Sequence, residues 1–311
     1  MIAIFLKTLP FFAILGLGYF AAYRRFFSEE ATAHLTKFVF YFALSAMIFR
    51  FAATLSLPDV FHGSSVLAYL SGTLSVYILA TVVAIFRGIG MEETVIEAQT
   101  AAIGNVGFLG IPMLVLLMGP NAIGPVMIVL ATDLIVFGSL MVILISAKRD
   151  GRMSVAVLGS VAKGLIKNPM VMAITAGLIW AGFDLPIPDP FDEFLTLLGA
   201  AATPGALFAI GASLATKSAE RKSIAIWLST VKLMLHPLAV AFASLVLFDV
   251  PPFTASVMIA AAAMPTAGNV YILAQHYGIA PVRVSSTILI STVISIVSLT
   301  IVIAMVSGRH F

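Results

Sequence analysis

The sequence predicts an all-α integral membrane protein with ten transmembrane helices, arranged as two inverted five-helix repeats whose fourth and ninth helices are interrupted. Three observations predict it. The chain is 61% hydrophobic and 10% charged, with a mean hydropathy of +1.11; a soluble domain carries roughly 25% charged residues. The Lys and Arg that lie between apolar runs fall only in alternate connections. The tripeptide Gly104-Asn105-Val106 recurs as Gly268-Asn269-Val270, each time inside an apolar run.

The runs approach the roughly 20 apolar residues needed to span a bilayer. They are expected at about 2–23, 32–54, 64–86, 96–118, 124–147, 169–183, 192–215, 223–248, 254–277 and 284–307. The runs are continuous rather than alternating, which argues against a β-barrel. The first has no basic leader and no small-residue cleavage site, so it reads as a retained span. The second carries Arg50 near its outer end, where a long side chain snorkels to the headgroups. The fourth is interrupted by Gly104, Asn105, Gly107, Gly110 and Pro112. Proline lacks an N–H and costs about 3 kcal/mol in a regular helix. In hydrocarbon such a break survives only where protein or trapped water satisfies the freed backbone. Glu92, Glu93 and Glu97 precede or open this span and read as solvated loop carboxylates. The fifth holds Asp133, the sole carboxylate well inside a span. Residues 148–168 are basic and partly amphipathic and read as a cytoplasmic linker on the headgroups. The sixth span is short. The eighth carries Lys232 and His236, four residues apart and therefore on one helix face. The ninth is interrupted at Met264–Ala274, around Pro265, Thr266, Gly268 and Asn269.

Orientation follows from charge. The odd-numbered connections carry Arg24, Arg25, Arg87, Lys148, Arg149, Arg152, Lys163, Lys167, Lys217, Arg221, Lys222 and Arg283. The even-numbered ones carry Asp59, Asp184, Asp189, Asp192 and Asp249, and no Lys or Arg. The positive-inside rule then places both termini outside the cytoplasm. The linker separates residues 1–147 from 169–311, five spans each; five is odd, so the halves are inverted. The halves also align: Pro169 lies 159 residues after Pro10, and Pro204 lies 159 after Ser45.

At GNVGFLGIPM and AAAMPTAGNVYILA the chain resembles the auxin efflux carrier family, bacterial relatives of the plant PIN-FORMED carriers. NPMVMAITAGLIW and TPGALFAIGASL are similar to that family too. Ser45 departs from it, standing where proline is common. The resemblance implies a scaffold domain of spans 1, 2, 6 and 7 and a transport domain of spans 3–5 and 8–10. It implies that broken helices 4 and 9 cross at Pro112 and Pro265. It further implies homodimers, an elevator-like motion and small organic anions, auxin or carboxylates such as malate and malonate, as cargo.

Two crossing broken helices bring two half-helix N-termini together, each with about half a positive charge and unpaired N–H groups. That suits a carboxylate. The candidate binding residues are Gly104, Asn105, Gly107, Pro112, Pro265, Thr266, Gly268 and Asn269. Asn105 and Asn269 either bind cargo or cap the breaks. Asp133, Lys232 and His236 are the candidates for proton or ion coupling, since intramembrane ionisable groups are functional by default. Alternatively, Asp133 is a structural counter-charge to helix ends or to Lys232. No cofactor and no nucleic acid is expected; the partners are lipid, the anion and a proton, with sodium the second choice. A secondary carrier working in efflux is the first reading. A sodium-coupled symporter of the bile-acid type is the alternative, but no cluster of acidic cation ligands is evident. A channel, a sensor or an intramembrane enzyme is more distant. There is no nucleotide-binding motif, and enzymes of this kind need paired catalytic groups that the spans lack. The chain has no cysteine, so thiolate chemistry and disulfides are excluded.

Overall fold

A computed structural model describes residues 2–56, 62–150, 155–215 and 222–307. Asp59, Arg152, Lys217 and Arg221 lie outside the described residues. Those residues are helical apart from turns and one isolated bridge. In chain order the helices are α1 (Ile2–Tyr23), α2 (Glu29–Ala53), α3 (Gly63–Phe86), α4 (Met91–Ala102), α5 (Val106–Met118), α6 (Pro120–Arg149) and α7 (Val155–Lys167). There follow α8 (Pro169–Gly182), α9 (Asp189–Ala215), α10 (Lys222–Leu247), α11 (Pro252–Ala262), α12 (Gly268–Tyr277) and α13 (Pro281–Ser307).

Seven of these, α1, α2, α3, α6, α9, α10 and α13, are each long and apolar enough to cross a membrane. The α7–α8 pair makes an eighth candidate, bent by 77°. The bend has a local cause. The Asn168 side chain accepts hydrogen bonds from Met170 N and Val171 N at 3.0 and 3.3 Å, and Pro169 sits at the first helical position. Side-chain cap and proline both favour a fresh helix start, so α8 begins at Pro169 and is short. The other expected spans that fall short are the interrupted ones. Each is two helices, α4 with α5 and α11 with α12, because the chain leaves helical geometry at 103–105 and again at 263–267.

Pro112 is not at the first break. It lies in the first turn of the α-helical part of α5, seven residues beyond Asn105, about 10 Å along a helix at 1.5 Å per residue. The break belongs to Gly104 and Asn105. Pro112 is tolerated because its missing N–H falls where a π-turn, Val106–Gly110, passes into α-helix. In α2 a π-turn at Val39–Ala43 precedes Ser45, whose hydroxyl donates to Phe40 O at 3.1 Å.

Packing follows small residues. Gly18 of α1 lies against the Phe208 carbonyl of α9, and Gly211 of α9 against the Leu15 carbonyl of α1. Gly177 of α8 lies against the Phe49 carbonyl of α2. A Cβ at any of the three would overlap backbone, so these glycines set how near the axes come. α3 meets α10 the same way, Gly72 against the Val240 backbone. α10 also packs on α11 and α13, and α4 on α3 and α6.

One polar cluster overturns a sequence expectation. Glu97 is 1% exposed and pairs with Arg87 and Arg283, each at 2.6 Å. Arg283 also reaches Glu93 at 2.9 Å, while Arg149 pairs with Glu92 at 2.7 Å and donates to Tyr277 O at 2.8 Å. These glutamates are therefore engaged, and they tie α4 to the turn after α3 and to α6, α12 and α13. Arg50 is a second correction. It does not reach freely toward headgroups but makes a two-pronged pair with Asp192, at 2.6 and 2.9 Å. The pair borders an open cavity of about 940 Å³ that also takes in Asp184 and Asp189.

Candidate functional site

The two breaks satisfy each other. After α4 the chain extends through Ile103 (φ −91°, ψ 122°). Asn105 N donates to Pro265 O at 2.7 Å, and Ala267 N donates to Ile103 O at 3.1 Å. Gly104 and Thr266 thereby form an antiparallel bridge. Two unwound segments inside an apolar bundle thus meet most of their backbone needs without water, as burial requires. Thr266 pins the contact further: its hydroxyl donates to Thr100 O at 3.0 Å, and its N–H donates to Ser291 Oγ at 3.2 Å. Pro265 and Thr266 are therefore builders of the crossing.

The glycines divide by their surroundings. Gly104 allows a close approach, since a Cβ would lie 3.1 Å from Lys232 Nζ and 3.4 Å from Ala261 O. Gly107 packs on the Met170 methyl of α8, and Gly110 on Val106 and Met264. Gly268 opens α12 and has open space where a side chain would be.

Neither asparagine caps a break. Asn105 is buried and its side chain makes no capping hydrogen bond. No side chain caps α12, and Asn269 Oδ1 is buried with no partner among the described residues. An orphaned amide oxygen in a dry site costs about 1–3 kcal/mol. The NH2 groups of Asn105 and Asn269, beside two helix starts that no side chain caps, α5 and α12, are a donor set suited to an anion.

Beneath the crossing lies an ionisable group drawn from three helices. Lys232 and His236 are wholly buried, and Asp133 is 3% exposed. Lys232 Nζ donates to Ala262 O and lies 2.8 Å from His236 Nδ1. His236 Nε2 is 3.0 Å from Thr73 Oγ1. The Tyr69 hydroxyl donates to Asp133 Oδ1 at 2.8 Å, and Asp133 Oδ2 has no hydrogen-bond partner among the described residues. The three residues expected to act in coupling are thus neighbours of the crossing. Tyr69 and Thr73 were missed from sequence. Their signal was the stripe Ser65, Tyr69, Thr73, Tyr77, four residues apart and all buried on one face of α3.

The profile of the family described as Membrane transport protein matches residues 3–303. The chain belongs to that family. The family includes relatives of the auxin efflux carriers. A protein of Rhizobium meliloti (strain 1021) named "Putative malonate transporter" is 28% identical over 296 residues, covering 94% of this chain and 92% of that one. This membrane transport protein is multi-pass and helical, and its broken helices meet at the point just described. Among the described residues no group of His, Asp and Glu side chains is arranged to hold a metal ion.

Proposed function

We propose that this transporter is a secondary carrier of small organic anions, mono- or dicarboxylates, working by elevator-type alternating access around the crossing of α4–α5 with α11–α12. The observation that carries the reading is the pair of amides, Asn105 and Asn269, placed beside two helix N-termini that no side chain caps. A carboxylate has two acceptor oxygens and a charge for those donors. Gly268 leaves room for it. The similarity to a protein named for malonate makes malonate the first compound to try.

The architecture we propose is ten spans in two inverted repeats, 1–147 and 169–311, joined by the cytoplasmic 148–168 linker. Packing supports the register. Gly177 lies 159 residues after Gly18, and Phe208 lies 159 after Phe49. The contact of Gly18 with the Phe208 carbonyl is therefore matched, under exchange of halves, by that of Gly177 with the Phe49 carbonyl. In this reading α1, α2, α8 and α9 are the scaffold and the remaining spans the transport domain. The mutual packing of α1 with α9 and of α2 with α8 fits that division. The termini lie outside a bacterial inner membrane, cargo leaves the cell, and the unit is a homodimer. Asp133 carries a coupling proton, exchanged while Tyr69 holds its other oxygen.

The test is a thermal-shift screen of the purified protein against mono- and dicarboxylates, followed by counterflow in proteoliposomes. A ligand at 100-fold its Kd stabilises by about 2.7 kcal/mol. Saturable stabilisation and counterflow with a carboxylate support the carrier. Non-saturating flux without counterflow would make it a channel.

A further inference from the structure

Lys232 is a costly side chain to bury. It is wholly buried, and among the described residues no carboxylate lies within ion-pair distance of its ammonium. An uncompensated charge in an apolar interior is strongly disfavoured. Asp133 acts on it through space, and its direct oxygen partner is backbone. Ala262 is the last residue of α11, and its carbonyl accepts from Lys232 Nζ. Nζ also lies against Gly104, two residues past the end of α4. The N–H groups that would close the last carbonyls of α4, those of Asn105 and Val106, bond instead to Pro265 O and Gly104 O. Two helix C-termini, each with about half a negative charge, therefore converge on one ammonium.

We infer that Lys232 is a tethered cation filling a monovalent-cation site formed by the C-terminal ends of α4 and α11, and that this transporter therefore needs no dissolved metal cation to hold its crossing together. His236 is the positioning residue. An ammonium has only protons to give, so Nδ1 accepts from it, the ring proton sits on Nε2, and Nε2–H donates to Thr73 Oγ1. The chain Thr73–His236–Lys232 holds the charge in register with the carbonyls. The other titratable groups on the packed helices are Asp133 and Tyr69, which bond each other, Tyr77 on α3, and the Glu97–Arg283 pair of α4 and α13. The inference deepens the carrier reading, but its test is read without cargo, so the two fail separately.

The test uses melting temperature in sodium, potassium and choline chloride at matched ionic strength, with n-propylammonium as a fourth salt. Wild type is expected to melt alike in all four. Lys232→Ala removes the equivalent of one n-propylammonium. It should melt lower than wild type and regain about 2–4 °C, saturably, with n-propylammonium or sodium but not with choline. Lys232→Gln, which keeps a donor for Ala262 O, serves if the alanine variant does not fold, and sodium is then the rescuing ion. A saturable sodium dependence of wild type would overturn the inference without any variant. So would folded variants that respond to no cation beyond choline.

Discussion

Replacing Glu97 with Gln probes whether the buried ion cluster holds the α4 end of the crossing. Glu97 and Arg283 side chains are 2% and 8% exposed and 2.6 Å apart. Arg87, at 28%, adds a second bond of the same length. Removing one partner of a buried pair costs about 3–5 kcal/mol, because the other charge stays buried. Glu93 remains 2.9 Å from Arg283, with its side chain 43% exposed, so the lower end of that range applies. At about 2–4 °C per kcal/mol, the melting temperature should fall by about 6–12 °C. The control is Glu92→Gln, which breaks a solvent-accessible pair with Arg149 and should melt close to wild type. A Glu97→Met/Arg283→Met double variant should recover much of the loss, since apolar replacement of a buried pair is often neutral. Equal melting of Glu97→Gln and Glu92→Gln would refute the argument, leaving the cluster no stronger than a surface pair.

Three further outcomes follow from the packing and the charges. Gly18→Ala and Gly177→Ala should each lose about 1–3 kcal/mol or more by overpacking on a backbone carbonyl, whereas Gly16→Ala, with nothing near its Cβ, should gain about 0.5–1 kcal/mol; melting curves of the three variants compare them, and equal effects would dissolve the matched contacts. Asp133→Asn should remove the pH dependence of carboxylate flux in proteoliposomes while leaving the protein folded, and an unchanged pH profile would make Asp133 structural. Single cysteines at Lys163 and Pro188 of this cysteine-free chain should label from inside and outside respectively, and reversal of the two would invert the orientation.

The sequence made the crossing legible because its signal is local. Gly-Asn-Val occurs twice, and a glycine–asparagine break in an apolar helix has few uses beyond a site. Lys232, His236 and Asp133 were legible for a similar reason, since charge inside a span is conspicuous. What was not legible depends on distant partners. Glu97 read as a loop carboxylate because Arg283 is 186 residues away; Arg50 read as snorkelling because Asp192 is 142 residues away. Pro112 misled through propensity. Proline is the stronger helix breaker in general, but at the start of a helical segment its missing N–H costs nothing, and the break falls instead at Gly104, against which Lys232 Nζ packs. Hydroxyls hide better still: Tyr69 and Thr73 sit in an apolar helix where their types carry no charge signal, and only their spacing with Ser65 and Tyr77 marks them.

The central claim is that Asn105 and Asn269 flank the anion site, and it is tested most directly by calorimetric titration of Asn105→Ala and Asn269→Ala beside wild type. The titrant is malonate, or whichever carboxylate stabilises the wild type most in the screen. Neither side chain caps backbone, so both variants should melt near wild type. Loss of one amide from the bound anion should weaken binding by about 1–3 kcal/mol, roughly 5- to 150-fold, with the larger loss at Asn269, where Gly268 opens the space. Unchanged affinity in both variants, with lowered melting temperatures, would contradict the account and return the asparagines to a structural role.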